Sequence, residues 1–314
     1  MWTCNNWKDY EVIDTSKGEK IERWGDYRLV RPDPQVIWDT KRDSEIWRKK
    51  NGHYHRSKKG GGEWDFYNLP EEWEISYPLF TSEEGDEFLK RNNVAEPISK
   101  ELVFHLKPFS FKHTGLFPEQ AVNWDWMSKL ILKKKYNNPD KPVKVLNLFA
   151  YTGGATLAAA ASGAHVTHVD SSKGIVNWAK ENAKSSGLAD APIRWLIDDC
   201  LKFVEREIRR GNKYDGIIMD PPSYGRGPKG EVWKIEESVF PLICKCCEIL
   251  SEKPLFFLIN SYTTGLQPAV LKYMMEVALS HFQGEIESDE IGLPVTETGL
   301  YLPCGASGRF TGKI

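Results

Sequence analysis

The segment YDGIIMDPPSYGRG, residues 214–227, decides how the rest of the chain is read. Ile217, Ile218 and Met219 form an apolar run of the length and composition of a buried strand. Asp220 stands where that strand must stop. Pro221 has no N–H to donate, and Pro222 restricts the residue before it, so the chain leaves the sheet as a stiff, extended turn. A plain strand-to-helix connection has no need of such stiffness. A site that holds backbone carbonyls in fixed directions does. Beyond the turn, Tyr224, Arg226 and Lys229 sit among glycines in a loop.

Working outward, strands alternate with helices. KVLNLFA, HVTHVD, IRWLID, DGIIMD and PLFFLINS read as strands. TLAAAAS, SKGIVNWAKENAKSSG, CLKFVEREIRRG, IEESVFPLICKCCEIL (despite Pro241) and PAVLKYMMEVALS read as helices. WDWMSKLILKKKY supplies a leading helix, and the tail from Glu285 to Gly305 a closing hairpin. This order predicts an α/β fold with a doubly wound, Rossmann-like parallel sheet covered on both faces by right-handed crossovers. Ligands of such sheets bind at the carboxyl ends of the strands. The first hundred residues differ. Short alternating or aromatic-rich runs are separated by Gly, Pro, Asn and Asp, which predicts a small mainly-β domain without a long helix. The expected division is residues 1–107 and 108–314.

The chain has 314 residues, 40% hydrophobic and 27% charged, with a formal net charge of −2. That is an ordinary globular composition, and any affinity for nucleic acid must come from a local patch. MWTCNNWKDYEV has no basic segment followed by an apolar run, so no signal peptide is expected. Val145 to Val166 is uncharged and long enough to span a bilayer, but its Asn, Thr, Ser and Gly residues fit strand, turn and helix instead. Six scattered cysteines form no disulfide framework, which fits a reducing cytoplasm. No metal is expected. CKCC reads as small core residues on a helix, Cys244 and Cys247 sharing a face. His53 and His55 share a strand face without an acidic neighbour in sequence.

Each strand end carries a polar signal. NLFAYTGG offers Gly153 and Gly154 for a tight turn into a helix N-terminus, but no G-x-G-x-x-G, which suits a carboxylate better than a pyrophosphate. Asp170, 17 positions after Gly153, can take a ribose or simply cap the next helix with Ser171 and Ser172. Asp198 or Asp199 can accept from an adenine amino group or cap a helix.

The four signals in order resemble a class I S-adenosylmethionine (SAM) methyltransferase, and more closely the bacterial family of large-subunit ribosomal RNA methyltransferases. The resemblance rests on NLFAYTGG, VDSSKGIVNWAKENA, DDCLKF, YDGIIMDPPSYGRG and, upstream, HTGLFPEQAVNWDWM. It implies SAM as cofactor. It implies that Phe149, Tyr151, Thr152, Gly153 and Gly154 surround the methionine part, that Asp170 (with Ser171 next to it) takes the ribose, and that Asp198 or Asp199 with Cys200 meets the adenine. Phe117 to Gln120, including Glu119, would close over the cofactor.

Methylating a cytosine ring carbon needs a cysteine thiolate. LINSYTTG, after the fifth strand, has none, and none follows Asp-Pro-Pro. A base nitrogen needs no such nucleophile. Carbonyls at Asp220 and Pro221, fixed by Pro221 and Pro222, would orient its amino group, with Tyr224 stacking on the base. From Lys41 to Lys59, eight Lys or Arg stand against Asp43 and Glu45, a balance of +6, interleaved with Trp47, His53, Tyr54 and His55. That pattern suits RNA phosphates and bases. The competing expectations are a protein or small-molecule methyltransferase, cytosine methylation through Cys304, and a non-catalytic SAM- or nucleotide-binding module.

Overall fold

The strand that leads into Asp-Pro-Pro is buried along its whole length, because it lies in the middle of a sheet with helices on both faces. The computed structural model describes every residue except 43–44, 58–60, 82, 93, 95, 110–111, 227–231 and 314; Lys58, Lys59 and Lys229 therefore lie outside the described residues. The first part of the chain contains β1 (Trp2–Thr3), β2 (Tyr10–Ser16), β3 (Glu19–Trp24), β4 (Tyr27–Pro32), β5 (Gly52–Arg56), β6 (Gly62–Phe66), β7 (Trp73–Pro78), α1 (Glu83–Asn92) and β8 (Glu101–Leu106). The second contains α2 (Ala121–Asn137), β9 (Lys144–Leu148), α3 (Gly154–Ala161), β10 (His165–Asp170), α4 (Lys173–Ser185), β11 (Ile193–Ile197), α5 (Cys200–Arg210) and β12 (Gly216–Met219). It continues with β13 (Tyr224–Arg226), β14 (Val232–Lys234), α6 (Ile235–Cys247), β15 (Phe256–Ser261), α7 (Pro268–Ala278), β16 (Gly284–Pro294) and β17 (Tyr301–Gly312).

The large sheet runs β1-β16-β17-β15-β12-β9-β10-β11. From β15 to β11 it is parallel, and β16 with β17 forms the antiparallel hairpin that closes it. The register sets the strand ends level. Met219 pairs with Leu148 and Ile259, and Leu148 with Val169. The residues just beyond, Phe149, Asp170, Asp220 and Asn260, therefore line one rim, where such sheets bind ligands.

The N-terminal strands form a five-stranded sheet, β2 to β6 in order, and β7 pairs with β8. The β1 strand leaves this region and pairs with β16 at the edge of the large sheet. One element was not expected. α1 is a ten-residue helix in a charge-rich segment whose only large apolar residues are Phe88 and Leu89. Leu89 is its buried anchor, and Lys129 and Lys133 of α2 lie 5.9 and 5.4 Å from the Phe88 ring.

The CKCC segment lies in α6, but rotated from the expected face. Ile235, Val239, Leu242 and Ile243 point inward with Cys246 and Cys247, while Cys244 is exposed. His53 and His55 do share a strand face, with ring centroids 3.8 Å apart. Tertiary structure gives each an acidic partner, Glu19 at 2.6 Å and Asp65 at 2.9 Å. Two of the four aromatics expected in the basic segment are not available, while His55 is exposed. Trp47 is buried with its indole N–H donated to Asp14, and Tyr54 is buried too, so neither can stack on a base. No described helix is long and apolar enough to cross a membrane.

Candidate active site

The loop after β9 carries more backbone strain than its glycines alone predict. Phe149 and Tyr151 both have left-handed backbones, with φ of 55° and 48°, and Gly153 has φ 92°. Bulky residues rarely adopt that region, and such outliers cluster where a ligand is gripped. Several contacts hold the loop, two of them from the neighbouring strand ends. The Phe149 N–H donates to the Cys200 thiol at 3.3 Å, and the Tyr151 N–H donates to Asp170 Oδ2 at 3.0 Å. At Gly154 a Cβ would lie 2.5 Å from the Trp124 ring, so the start of α3 packs directly on α2.

Asp170 combines both readings of its sequence position. Oδ1 accepts the Ser172 N–H at 2.9 Å at the start of α4, while Oδ2 holds the cofactor-side loop. Each carboxylate oxygen keeps a further lone pair for a diol. Asp199 caps α5 by accepting the Lys202 N–H at 2.9 Å, and Asp198 is ion-paired to Arg206. Cys200 turns its thiol inward to the loop backbone, and burial pushes that thiol above its ordinary range. Ser171 is exposed.

A cleft opens at the rim between Leu116, Phe117, Gln120 and Trp124 on one side and Asn147, Phe149, Tyr151, Thr152 and Gly154 on the other, with Ile218, Asp220 and Asn260 at its base. The Phe117 ring lies 5.5 Å from Tyr151 and 5.6 Å from Tyr262. Thr152 Oγ1 donates to the Gly115 carbonyl at 2.5 Å, tying the lead-in segment to the loop. Asp220 has no side-chain hydrogen-bond partner among the described residues. Burial, with Glu119 adding like charge, raises its carboxyl to about 7. Glu119 itself, on the short 3-10 turn Pro118–Gln120, is buried and likewise raised, chiefly by desolvation.

The turn at Asp220 is braced from both sides. Trp233 of β14 donates its indole N–H to the Pro222 carbonyl at 2.6 Å, and the Ser223 and Thr263 hydroxyls meet at 2.6 Å. The Pro222 carbonyl is thus occupied within the protein. Tyr224, on the β13–β14 ribbon, is 53% exposed and stands outside the cleft.

Several residues behind the cleft were not expected. Asn123 donates to Gln120, Asn260 and Ser307 and accepts from Arg309, whose guanidinium lies 3.8 Å from the Trp2 ring. Gln120 in turn donates to the Tyr262 hydroxyl at 2.7 Å. Asn147 reaches Thr156 at 2.9 Å, and Thr156 reaches the buried His168 at 2.9 Å. The signal for Asn147 and Asn260 was present: each is a polar residue inside or ending an otherwise apolar strand. Nothing local marks Asn123 or Arg309, which meet only through the hairpin.

Fold and rim define a doubly wound sheet that binds a nucleotide-derived ligand at its strand ends, with a wall of carboxylates suited to a cationic donor. Asp220 without a partner, the Asn260 amide, the spare lone pairs of Asp170 and the Phe117 and Tyr151 rings fit SAM, which carries a sulfonium, an ammonium and a ribose. A family model for S-adenosylmethionine-dependent methyltransferases matches residues 95–238. The crystal structure of the SAM-dependent methyltransferase from Agrobacterium tumefaciens is 34% identical, with a TM-score of 0.85, and the match covers 99% of this chain and 93% of that one. This chain belongs to the SAM-dependent methyltransferases, and SAM is its cofactor. Sequence relatives include the ribosomal RNA large subunit methyltransferases K/L of Shewanella frigidimarina and Pseudoalteromonas atlantica. The first is 33% identical over 150 residues, 47% of this chain and 20% of the relative; the second is 34% identical over 142 residues, 45% of this chain and 18% of the relative. The match thus spans about a fifth of the length of these curated relatives.

Proposed function

We propose that this methyltransferase acts on a base nitrogen of RNA, with ribosomal RNA the first substrate to test. The observation that carries the reading is the braced Asp-Pro-Pro turn at the base of the cleft, combined with sequence relatives named for ribosomal RNA methylation. SAM supplies an electrophilic methyl that needs no further activation. The protein's task is alignment, and a fixed bound geometry can account for much of such a rate. The carbonyls of Asp220 and Pro221 accept from the amino group and aim its lone pair at the methyl. The nitrogen would give up a proton as it takes the methyl group, and the Asp220 carboxyl at the base of the cleft, ionised beside a cationic donor, is placed to take it. We assign the cofactor contacts to Phe117, Gln120, Phe149, Tyr151–Gly154 and Asp170, and residues 1–107 to substrate binding. Mass spectrometry of ribosomal RNA nucleosides from a strain lacking the gene tests the reading. A complete set of methylated bases in that strain would refute it.

The reading excludes a thiolate mechanism. Cys304 lies closer to the site than a core residue of a strand would. It is half-buried and lines the pocket beside Tyr262 and Glu119. Burial and the neighbouring Glu119 carboxyl push its thiol well above its ordinary range, the reverse of what a nucleophile needs. Cys304→Ser is expected to keep the methylation rate within about threefold, since no bond to the base is lost. RNA containing 5-fluorocytidine should yield no covalent adduct. A stable adduct, abolished by Cys304→Ser, would restore cytosine methylation.

With Trp47 and Tyr54 buried, the basic segment offers charge rather than stacking. Arg42 is held by Glu19, and Lys49 pairs with Glu45 at 2.9 Å. Exposed aromatic surface lies nearby at Phe66 and Tyr67, with Lys50 5.9 Å from the Tyr67 ring. Changing Arg48, Lys49 and Lys50 together to Gln is expected to flatten the dependence of log RNA affinity on log salt, by about 0.7 for each phosphate that is no longer neutralised. SAM affinity should stay the same. An unchanged slope would remove this face from the RNA surface.

A further inference from the structure

A second cavity, of about 270 Å³, lies between the N-terminal sheet and the cofactor cleft. Leu116 and Phe117 line both, so the two spaces share a wall. Its far side is built from charge. Glu22 is completely buried and saturated: Arg31 forks onto it at 2.7 and 2.8 Å, Tyr10 donates at 2.7 Å, and Lys20 stands 3.4 Å away. Lys20 also lies 3.3 Å from Asp33. The third cation is Lys112. Arg31 donates to its backbone carbonyl at 2.8 Å, and among the described residues its own ammonium reaches only the Pro32 carbonyl, at 3.3 Å.

Lys20 and Arg31 thus share the carboxylates of Glu22 and Asp33, while Lys112 has no carboxylate partner among the described residues. Next to it the His113 ring lines the cavity with no hydrogen-bond partner among the described residues. Both groups are held toward their neutral forms. Desolvation lowers the Lys112 ammonium, with Lys20 and Arg31 adding repulsion. His113 is lowered to about 4 by burial and by Arg31, Lys112 and Lys20. A group held in that way is relieved by an incoming anion. The near side of the cavity is different in kind: Glu119 and Tyr262 stand there, toward Asp220.

We propose that this cavity receives the methyl acceptor, with a phosphate-type anionic group of the acceptor bound at Lys112 and His113 and the nitrogen to be methylated directed past Phe117 toward Asp220. The proposal deepens the RNA reading and in that form rests on it: the anion is the phosphate of the extruded nucleotide. A free phosphorylated small molecule would present the same chemistry.

The test loads the protein with S-adenosylhomocysteine and titrates calorimetrically the four nucleoside 5′-monophosphates and the four nucleosides. At least one monophosphate is expected to bind about tenfold or more tightly than its nucleoside, the scale of one charge-assisted contact. Lys112→Gln should erase that difference, His113→Gln should reduce it and Lys112→Arg should keep most of it. S-adenosylhomocysteine should bind all three variants as it binds the wild type. Equal binding of monophosphates and nucleosides, no binding of either, or an advantage that survives Lys112→Gln would each overturn the proposal. A parallel arm measures methyl transfer to ribosomal RNA. A KM raised about tenfold by Lys112→Gln at little-changed kcat supports the phosphate site. Unchanged kinetics would sink the pocket while leaving the RNA reading intact. A phosphate advantage without any transfer to RNA by the wild type would sink the RNA reading and leave the pocket, now with a small phosphorylated acceptor.

Discussion

Replacing Asp220 with alanine is expected to lower the single-turnover rate of methyl transfer, at saturating SAM, by about 100-fold or more. The side chain ends a fully buried strand and faces the cleft, while Trp233 and Thr263 brace the residues after it. Its loss removes the proton acceptor and leaves a gap at the buried base of the cleft. Asp220→Asn separates the two effects, because it preserves shape and removes only the titration. The same carboxyl carries a pH signature. Its folded value, about 7, lies above its ordinary 3.8. Between those values the folded protein holds the proton more tightly than the unfolded chain. The stabilising contribution is complete below about pH 4 and is lost as the pH rises through 7. Without cofactor, the stability of Asp220→Asn relative to wild type should therefore grow from pH 5 to pH 8 in denaturation experiments. A constant difference would show that the carboxyl is not raised. A bound sulfonium, being cationic, would pull the carboxyl back down.

Asp170→Ala is expected to weaken SAM binding by about 1.5–3 kcal/mol, roughly ten- to a hundredfold in Kd, as two hydrogen bonds to a charged acceptor disappear. The structure gives this residue a second task, because Oδ2 holds the Tyr151 N–H in a loop with two bulky left-handed residues. Asp170→Asn keeps an acceptor for one of these contacts and should fall between wild type and Asp170→Ala. Calorimetric titration of SAM into the three proteins measures the order. Equal affinities would remove Asp170 from the cofactor site.

The parallel half of the molecule was legible because its signals are local. Apolar strands, glycine-closed helices and an acid at the end of three strands follow one another within a few residues, and the register only had to set them level. Asp199 shows where this stops: its spacing fits both a helix cap and an adenine contact, and of these the structure displays the cap on α5. The β region was harder. Trp47 and Tyr54 look exposed among lysines and arginines, but Asp14, from a strand more than thirty positions earlier, takes the Trp47 indole and turns it inward. Pairing of this kind depends on long-range register, which no window of sequence contains. The charged cavity was hidden for the same reason. Lys20, Arg31 and Lys112 come from three separate segments, and only the packing of the β sheet against the lead-in to α2 unites them.

Phe117 belongs to the walls of both cavities, and its ring rests against Tyr151 on one side and Tyr262 on the other. A ring in that position cannot shift for one ligand without changing the room left for the other. Occupancy of the two sites is therefore a linked equilibrium. Whatever factor the cofactor imposes on acceptor affinity, the acceptor must impose on the cofactor. Methyl transfer would remove the cofactor's positive charge and, in the proposed reaction, protonate Asp220, so the charge on the cofactor side of this ring changes twice over in one step.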